Sequence, residues 1–352
     1  MDLKSYGWDR YNQQTALGKV DFLVGRIAIE NKSNYTVLTE FGECQGILRG
    51  KFLSGHSELP RVGDWVRITK LPNEDKVAVE EVLPRATKIS RKSAHDEEEQ
   101  VIVANIDVVF IVQGLPDDFN LRRLERYLVI ARQSGAKPVV ILNKIDLNAD
   151  YLEQVDQAKA VSLDAEVIAM SSKTGQGIDV LKNMIEPGLS FVFLGSSGVG
   201  KSSLINSLTG LDLQSIQEIR DSDGRGRHTT TRREMIFLDN GGILIDTPGM
   251  RELGIWNETQ QIDKTFIDIE ELSWLCKFSR CDHDKSAGCA VKAALEAGTL
   301  DPKRFQSYMK LKREQEFSES KTDKAKALER RTQAKTQQKA LNNKLKQKYS
   351  KR

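Results

Sequence analysis

The stretch Gly195-Ser196-Ser197-Gly198-Val199-Gly200-Lys201-Ser202 decides the fold of this chain. It matches the pattern G-x-x-x-x-G-K-[ST] and separates an apolar run, Leu189–Leu194, from a helix predicted to begin at Lys201. Glycines let backbone N–H groups curl around phosphate oxygens, and the positive end of the helix dipole adds attraction. We therefore predict a nucleotide phosphate site that extends to Ser203. In it, Lys201 reaches the β- and γ-phosphates and the Ser202 hydroxyl ligates Mg²⁺.

The segments around this motif alternate between apolar runs and amphipathic helices. Val101–Val112 and Pro138–Leu142 are predicted as buried strands and Glu166–Met170 as a further strand, and a helix is predicted at Leu121–Gln133. Such alternation is typical of a doubly wound α/β domain, because parallel strands are covered by helices on both faces. We assign residues 99–257 to this domain.

Two further motifs follow predicted strands and indicate which base is bound. Asn143-Lys144-Ile145-Asp146 ends one strand, and Ser171-Ser172-Lys173 ends the next. A carboxylate at Asp146 can accept hydrogen bonds from N1–H and the exocyclic amine of guanine, whereas adenine offers neither donor. Lys144 is expected to lie along the base plane and Asn143 to tie neighbouring loops together. The constellation favours a guanine nucleotide.

A third motif, Asp246-Thr247-Pro248-Gly249, follows another short apolar run. We expect Asp246 to bind Mg²⁺ through water and the N–H of Gly249 to touch the γ-phosphate. With a switch threonine in Arg227–Thr231, these are the five motifs of Ras-like GTPases in a changed order, because the two base motifs precede the phosphate motif. Joining the original termini and opening another loop produces such a circular permutation without moving any strand in the sheet.

The segment Arg227–Thr231 is the candidate switch, whose threonine completes the Mg²⁺ shell. We prefer Thr230 for this role, with Thr229 as the alternative. The residue after the Asp246 motif, where Ras-like enzymes use a glutamine to orient water, is Met250. A neutral imidazole at His228 is the nearest replacement, and a solvent-exposed loop histidine is the alternative reading.

Short strands before the α/β domain predict a small barrel. Residues Asp21–Arg85 contain five apolar or alternating runs broken by Gly, Asn and Pro. We predict an OB-like barrel, and an SH3-like barrel would give a similar pattern. Residues 1–98 are assigned to an N-terminal tail, this barrel and a polar linker at Arg91–Gln100.

After the α/β domain, three cysteines and one histidine cluster in a short segment. Cys276, Cys281, His283 and Cys289 provide the Cys₃His set of a closed structural Zn²⁺ site. Their spacing is not that of a common zinc finger, and three buried cysteines beside a surface histidine are the alternative. We assign residues 258–320 to a helical zinc-binding domain.

Charge is unevenly distributed along the chain. Residues 321–352 contain twelve Lys and Arg against two acidic residues, whereas the whole chain carries a net charge of only +3. A basic tail on an acidic body indicates a polyanionic partner such as RNA, with a solvated tail as the alternative. The sequence contains no apolar run of about 20 residues, so no membrane anchor is predicted. We expect a cytoplasmic monomer.

Motif order and flanking domains together narrow the assignment. With a barrel ahead and a Cys/His domain behind, the chain resembles the RsgA (YjeQ) family over about Asp21–Leu300. The resemblance implies a GTP hydrolase that is stimulated by the small ribosomal subunit, binds its rRNA and acts late in its assembly. It also implies zinc at the Cys₃His cluster, Mg²⁺ with GTP, and a role for the His-Thr-Thr motif that begins at His228.

Two other functions compete with this hypothesis. The absent glutamine at Met250 is compatible with an RNA-binding scaffold for which nucleotide is a ligand and catalysis is minor. An ATPase would use the same phosphate loop, but Asp146 argues against adenine.

Overall fold

The computed structural model describes most of the chain. The described residues are 2–31, 34–53, 58–72, 74–92, 99–210, 233–246, 259–279, 281–284 and 286–316. The candidate switch Arg227–Thr231 and the basic tail 321–352 lie outside these ranges.

The described residues form an N-terminal group of short strands, followed by alternating strands and helices and then by C-terminal helices. The strands are β1 Leu23–Glu30, β2 Tyr35–Thr39, β3 Gly42–Leu48, β4 Trp65–Lys70, β5 Lys76–Val82, β6 Lys88–Lys92, β7 Glu99–Ala104, β8 Val108–Gly114, β9 Lys137–Asn143, β10 Glu166–Ala169, β11 Ser190–Leu194, β12 Arg233–Phe237 and β13 Ile243–Asp246. The α-helices span Trp8–Thr15, Gly50–Leu53, Leu121–Gln133, Tyr151–Ser162, Ile178–Met184, Lys201–Thr209, Thr259–Thr265, Ile267–Trp274, Ala290–Glu296 and 302–316. Short 3₁₀ helices lie at Leu3–Tyr6 and Ile145–Leu147.

Strands β1 to β5 close a small barrel. β1 pairs with both β2 and β4, β2 pairs with β3, β3 runs parallel to β5, and β5 pairs with β4. Apolar side chains that point inward, among them Ile27, Val37, Val66 and Val79, fill its interior. This order, with β5 between β3 and β4, confirms the predicted OB-like barrel.

The second half of the sheet is the α/β domain. Its order is β10-β9-β8-β11-β13-β12, with every neighbouring pair parallel except β12 and β13. Every residue of β8 and β11 is buried, as expected for central strands covered on both faces. The carboxyl ends of β9, β10, β11 and β13 share one edge, which is where ligands bind in such sheets. The strands carrying the displaced base motifs occupy one side of β8 and β11, so the permuted chain still builds a continuous sheet.

Two predictions at the domain junction were wrong in detail. The run Val101–Val112 was predicted as one strand, but it divides into β7 and β8 at Asn105, whose φ is 53°. The Asn105 side chain accepts from the Ala86 N–H and donates to the Gly63 carbonyl, so local hydrogen bonds favour the turn. The described part of the predicted linker Arg91–Gln100 belongs to the paired strands β6 and β7.

The predicted N-terminal tail is structured. Tyr6 and Tyr11, from the 3₁₀ helix and the first α-helix, are buried. The Tyr11 ring stacks on Trp65 of the barrel at 5.7 Å, and its hydroxyl donates to the Pro84 carbonyl at 2.8 Å. The first helix therefore completes the core between the barrel and the α/β domain.

A buried arginine joins these parts. Arg26, on β1, is 1% exposed and donates to the Tyr6 carbonyl, to the Asn105 carbonyl at 2.9 Å and to Ser190 Oγ at 2.9 Å. Ser190 begins β11, the strand that leads to the phosphate motif. Burial lowers the pKa of Arg26 to about 10, which leaves it charged at neutral pH. Arg26 therefore connects the barrel strand β1 to the N-terminal segment and to β11 by hydrogen bonds.

The C-terminal helices dock on the helix Leu121–Gln133. Arg304 donates to the fully buried Glu125 at 2.7 Å and, with two nitrogens, to Asp268 at 2.7 and 2.8 Å. Burial of both charges requires this pairing. Within the described ranges, we find no helix long and apolar enough to cross a membrane.

Candidate nucleotide-binding site and metal centre

The phosphate motif lies between β11 and the helix Lys201–Thr209. Gly198 and Gly200 have φ values of 80° and 97°, a left-handed conformation that favours glycine. Lys201 Nζ donates to the Gly195 carbonyl at 2.6 Å and to the Ser196 carbonyl, so its ammonium group lies inside the curve of the loop. This arrangement places a cation and the helix N-terminus at one concave surface, which suits phosphate.

The base motifs lie beside this loop at the same edge of the sheet. Ser171 Oγ donates to Asp146 Oδ1 at 2.5 Å, which orients the carboxylate. Lys144 has a φ of 67° and its Nζ donates to the Gly198 carbonyl of the phosphate loop at 2.5 Å. Ile145 is buried and its N–H donates to the Met170 carbonyl, which joins the ends of β9 and β10.

Asn143 joins all three loops. Its side chain is fully buried, donates to the Val199 carbonyl at 2.9 Å and to Ser172 Oγ at 3.1 Å, and accepts from the Ser172 N–H at 2.9 Å. A Cβ on Gly200 would lie 2.3 Å from Asn143 Nδ2, so glycine is required there for this contact. The loops for phosphate and base therefore form one hydrogen-bonded unit.

The remaining predicted residues are only partly described. Asp246 ends β13 opposite Glu234 of β12, while Ser202, Ser203 and Lys173 are exposed at the same edge. Ser202 lies in the first turn of the helix after β11, and Asp246 ends the adjacent strand β13. A hydroxyl and a carboxylate are oxygen ligands of the kind that Mg²⁺ prefers. Five predicted residues lie outside the described ranges: His228, Thr229, Thr230, Gly249 and Met250.

The Cys₃His residues converge as a metal site requires. The ligand atoms of Cys276, Cys281, His283 and Cys289 all lie within 4.8 Å of one another. Cys276 Sγ is 3.9 Å from Cys289 Sγ and 3.8 Å from His283 Nδ1, and Cys289 Sγ is 3.5 Å from that nitrogen. Tetrahedral Zn²⁺, with bonds of about 2.3 Å to sulfur and about 2.0 Å to nitrogen, needs separations of about 3.5–3.8 Å. The three separations among Cys276, His283 and Cys289 fit a zinc ion of this size, and Cys281 lies near enough to supply the fourth ligand.

Sequence reasoning missed Ser273, which orients the histidine. Ser273 Oγ lies 3.3 Å from His283 Nε2 and donates its proton to the Ile269 carbonyl at 2.8 Å. Since that proton is used, Oγ accepts from Nε2–H, and the lone pair of Nδ1 faces the sulfurs. Burial lowers the pKa of His283, which favours the neutral imidazole that binds metal. A serine is too common in helices to have been recognised from its position alone.

Comparison with known proteins gives consistent matches. The sequence profile described as RsgA GTPase matches residues 82–256. The small ribosomal subunit biogenesis GTPase RsgA of Opitutus terrae is 40% identical over 338 residues, which cover 92% of each chain. RsgA 1 of Listeria innocua, which carries the same biogenesis name, is 42% identical over 98% of this chain and 99% of its own.

Solved structures agree with this pattern. The crystal structure of YjeQ from Thermotoga maritima has a TM-score of 0.62 and 29% identity, and covers 83% of this chain and 98% of its own. The structure of YloQ, described as a circularly permuted GTPase, has a TM-score of 0.57 and 25% identity over 88% and 98% of the two chains. Both similarities cover more than four-fifths of this chain, which is more than the α/β domain alone.

Proposed function

The chain belongs to the RsgA GTPase family, and on that premise we propose that it hydrolyses GTP to GDP and phosphate as a late assembly factor of the small ribosomal subunit. One observation carries the proposal: Asn143 and Lys144 bind the phosphate loop directly, so guanine recognition by Asp146 is built into the same hydrogen-bonded unit. We propose that this work is done by a monomer in the cytoplasm.

The residues of the nucleotide site have distinct roles in this proposal. The backbone amides of residues 195–203 and Lys201 hold the phosphates, and Asp146, held by Ser171, accepts the guanine N–H groups. Ser202 and Asp246 would hold Mg²⁺, with Thr230 as the further ligand from the switch. The metal would supply charge neutralisation at the β- and γ-phosphates.

Orientation of the attacking water is assigned to His228. Met250 stands where a glutamine would orient water, and its side chain offers no useful hydrogen bond. We propose that His228, beside the switch threonines, takes this role when the small subunit is bound. Intrinsic hydrolysis is then slow and stimulated hydrolysis fast.

One exposed and one partly exposed aromatic ring on the barrel support RNA as the partner. Lys70 Nζ lies 4.6 Å from the centroid of the exposed Phe41 ring, and the Arg67 guanidinium lies 5.1 Å from the partly exposed Phe22 ring. Aromatic faces stack on unpaired bases, while the adjacent cations attract phosphate. We propose that this surface and the basic tail 321–352 contact rRNA, and that zinc at the Cys₃His cluster stabilises a third contact domain.

Single-turnover GTP hydrolysis with purified subunits tests the proposal. We expect a large increase in rate with small subunits and none with large subunits. Equal stimulation by small and large subunits would reject specificity for the small subunit, and an unchanged rate with either would reject stimulation. An absence of phosphate release would favour the RNA-binding scaffold instead. A His228→Ala variant that binds GTP normally and keeps full stimulation would remove His228 from its role.

Salt dependence tests the RNA contacts separately. Affinity for small subunits should fall steeply as salt rises, because contacts to phosphate release counterions. Removal of residues 321–352 should reduce that slope. An unchanged slope would show that the tail makes no phosphate contacts.

A further inference from the structure

Strand β1 belongs to the barrel and to the nucleotide-binding domain at once. It pairs with β2 and β4 inside the barrel, and its last two residues pair with β12, Ile29 opposite Glu234 and Glu30 opposite Arg233. β12 would otherwise be the edge strand of the α/β sheet. The barrel thus covers that edge by adding a strand, a contact made of backbone hydrogen bonds.

Glu30 reinforces this junction with charge. It accepts from Arg61, in the turn before β4, and its Oε2 lies 3.3 Å from Arg233 Nη1. All three side chains are less than one-fifth exposed. Burial lowers the pKa of Arg233, and so do the like charges of Arg61 and Arg91, while Glu30 opposes both effects. Without Glu30, the largely buried cation of Arg233 would face two other cations, and the first residue of β12 would lose the partner that fixes it.

Strand β12 connects this junction to Asp246, the proposed Mg²⁺ ligand at the end of β13. β12 and β13 pair over four residues, with Glu234 opposite Asp246 and Met235 opposite Ile245. Directly opposed residues in an antiparallel pair have Cα atoms about 4.5–5.5 Å apart. Arg233 is therefore the chain neighbour of the residue that lies opposite Asp246.

We propose that Glu30 is a positioning residue for GTP hydrolysis: through Arg233 it fixes β12, and through β12 it fixes Asp246, so the barrel sets how well Mg²⁺ is held. The proposal rests on the proposed role of Asp246. A shift of β1 within the barrel would be transmitted to Asp246 through two backbone pairings, β1 with β12 and β12 with β13. Such a continuous chain of packed elements can carry coupling between sites.

The test compares two isosteric variants of barrel glutamates. Glu30→Gln removes the charge at the junction, whereas Glu80→Gln removes it from a pair with Arg49 that lies within the barrel. Intrinsic GTP hydrolysis is measured against Mg²⁺ concentration without ribosomal subunits, together with GDP affinity in EDTA and thermal unfolding. For Glu30→Gln we expect the half-saturating Mg²⁺ concentration to rise about threefold to tenfold, the usual size of coupling between packed elements. GDP affinity in EDTA should match that of Glu80→Gln, since Asp246 contributes there only through the metal.

Double variants show whether the effect runs through Arg233. Glu30→Gln should add nothing to the Mg²⁺ requirement of Arg233→Gln, because both remove the same contact. An additive effect, or a Glu30→Gln curve that superimposes on that of Glu80→Gln, would overturn the proposal. Asp246→Asn is the arm that tests its foundation: no change in Mg²⁺ requirement would reject the role of Asp246 rather than the junction. If Glu30→Gln is too unstable to assay, Arg233→Lys, which keeps the charge but moves it, should shift the requirement in the same direction.

Discussion

Replacement of Asn143 by alanine tests whether the loops for base and phosphate act as a unit. The side chain is fully buried and makes three hydrogen bonds, to the Val199 carbonyl, the Ser172 N–H and Ser172 Oγ. Asn143→Ala removes the partners of two backbone groups at once. The Ser172 hydroxyl can rotate to another acceptor, so we count only the backbone groups.

The size of the effect follows from those two groups. An unsatisfied buried donor or acceptor costs about 1–3 kcal/mol. Ser172 is partly exposed and Val199 fully buried, so we take the lower value for Ser172 and the full range for Val199. The sum is about 2–4 kcal/mol. In the free variant the loops can separate and admit water, and nucleotide binding must then reassemble them. GDP affinity should therefore fall at least about 30-fold, the equivalent of about 2 kcal/mol.

Titration calorimetry with GDP, combined with thermal unfolding, measures this loss. The matched control is Asn148→Ala, because Asn148 bonds the nearby Gln154 rather than either loop. If Asn143→Ala bound GDP within about threefold of the control, the three bonds would be dispensable and the unit would not exist.

Three other changes test separate parts of the site. Asp146→Asn should exchange guanine for xanthine preference, since the amide donates where the carboxylate accepted, and competition between GTP and XTP measures it; continued preference for GTP would contradict the assignment. Gly200→Ala should abolish nucleotide binding, because its Cβ would lie 2.3 Å from Asn143 Nδ2 at a φ of 97°, whereas Gly210→Ala, at the open end of the same helix, should retain it. Ser273→Ala should weaken Zn²⁺ binding about 10-fold to 100-fold in a chelator competition, as loss of a partner to a ligating histidine usually does. Unchanged zinc retention would mean that Ser273 does not orient the ring.

Much of the site was predictable because its chemistry is local. The phosphate motif and the base motif at Asp146 each follow a strand directly. Because ligands bind at the carboxyl ends of the strands in such sheets, the position of the site followed from the predicted fold. The Cys₃His ligands are likewise close in sequence, within 14 residues. Residues that are close in sequence are also close in space, so their pattern alone predicts that they meet.

The rest depends on contacts between distant residues, which a single sequence does not reveal. Arg26 binds Ser190 across 164 positions, and Glu30 meets Arg233 across 203. An arginine in a strand looks like a surface residue until its partners are placed. The N-terminal helix was missed for a related reason: its burial relies on Trp65, and its own polar composition gives no sign of it. Roles assigned to His228 and Thr230 remain predictions.

Because β1 is shared, we expect neither the barrel nor the nucleotide-binding domain to be stable as a separate fragment. A fragment that begins after the barrel would expose β12 as a bare edge, and a fragment that ends with the barrel would leave Arg26 without its Ser190 and Asn105 acceptors. Bare edges recruit other strands and aggregate, and an orphaned buried cation destabilises what remains. Barrel and nucleotide domain should therefore be transplanted between relatives only as one cassette.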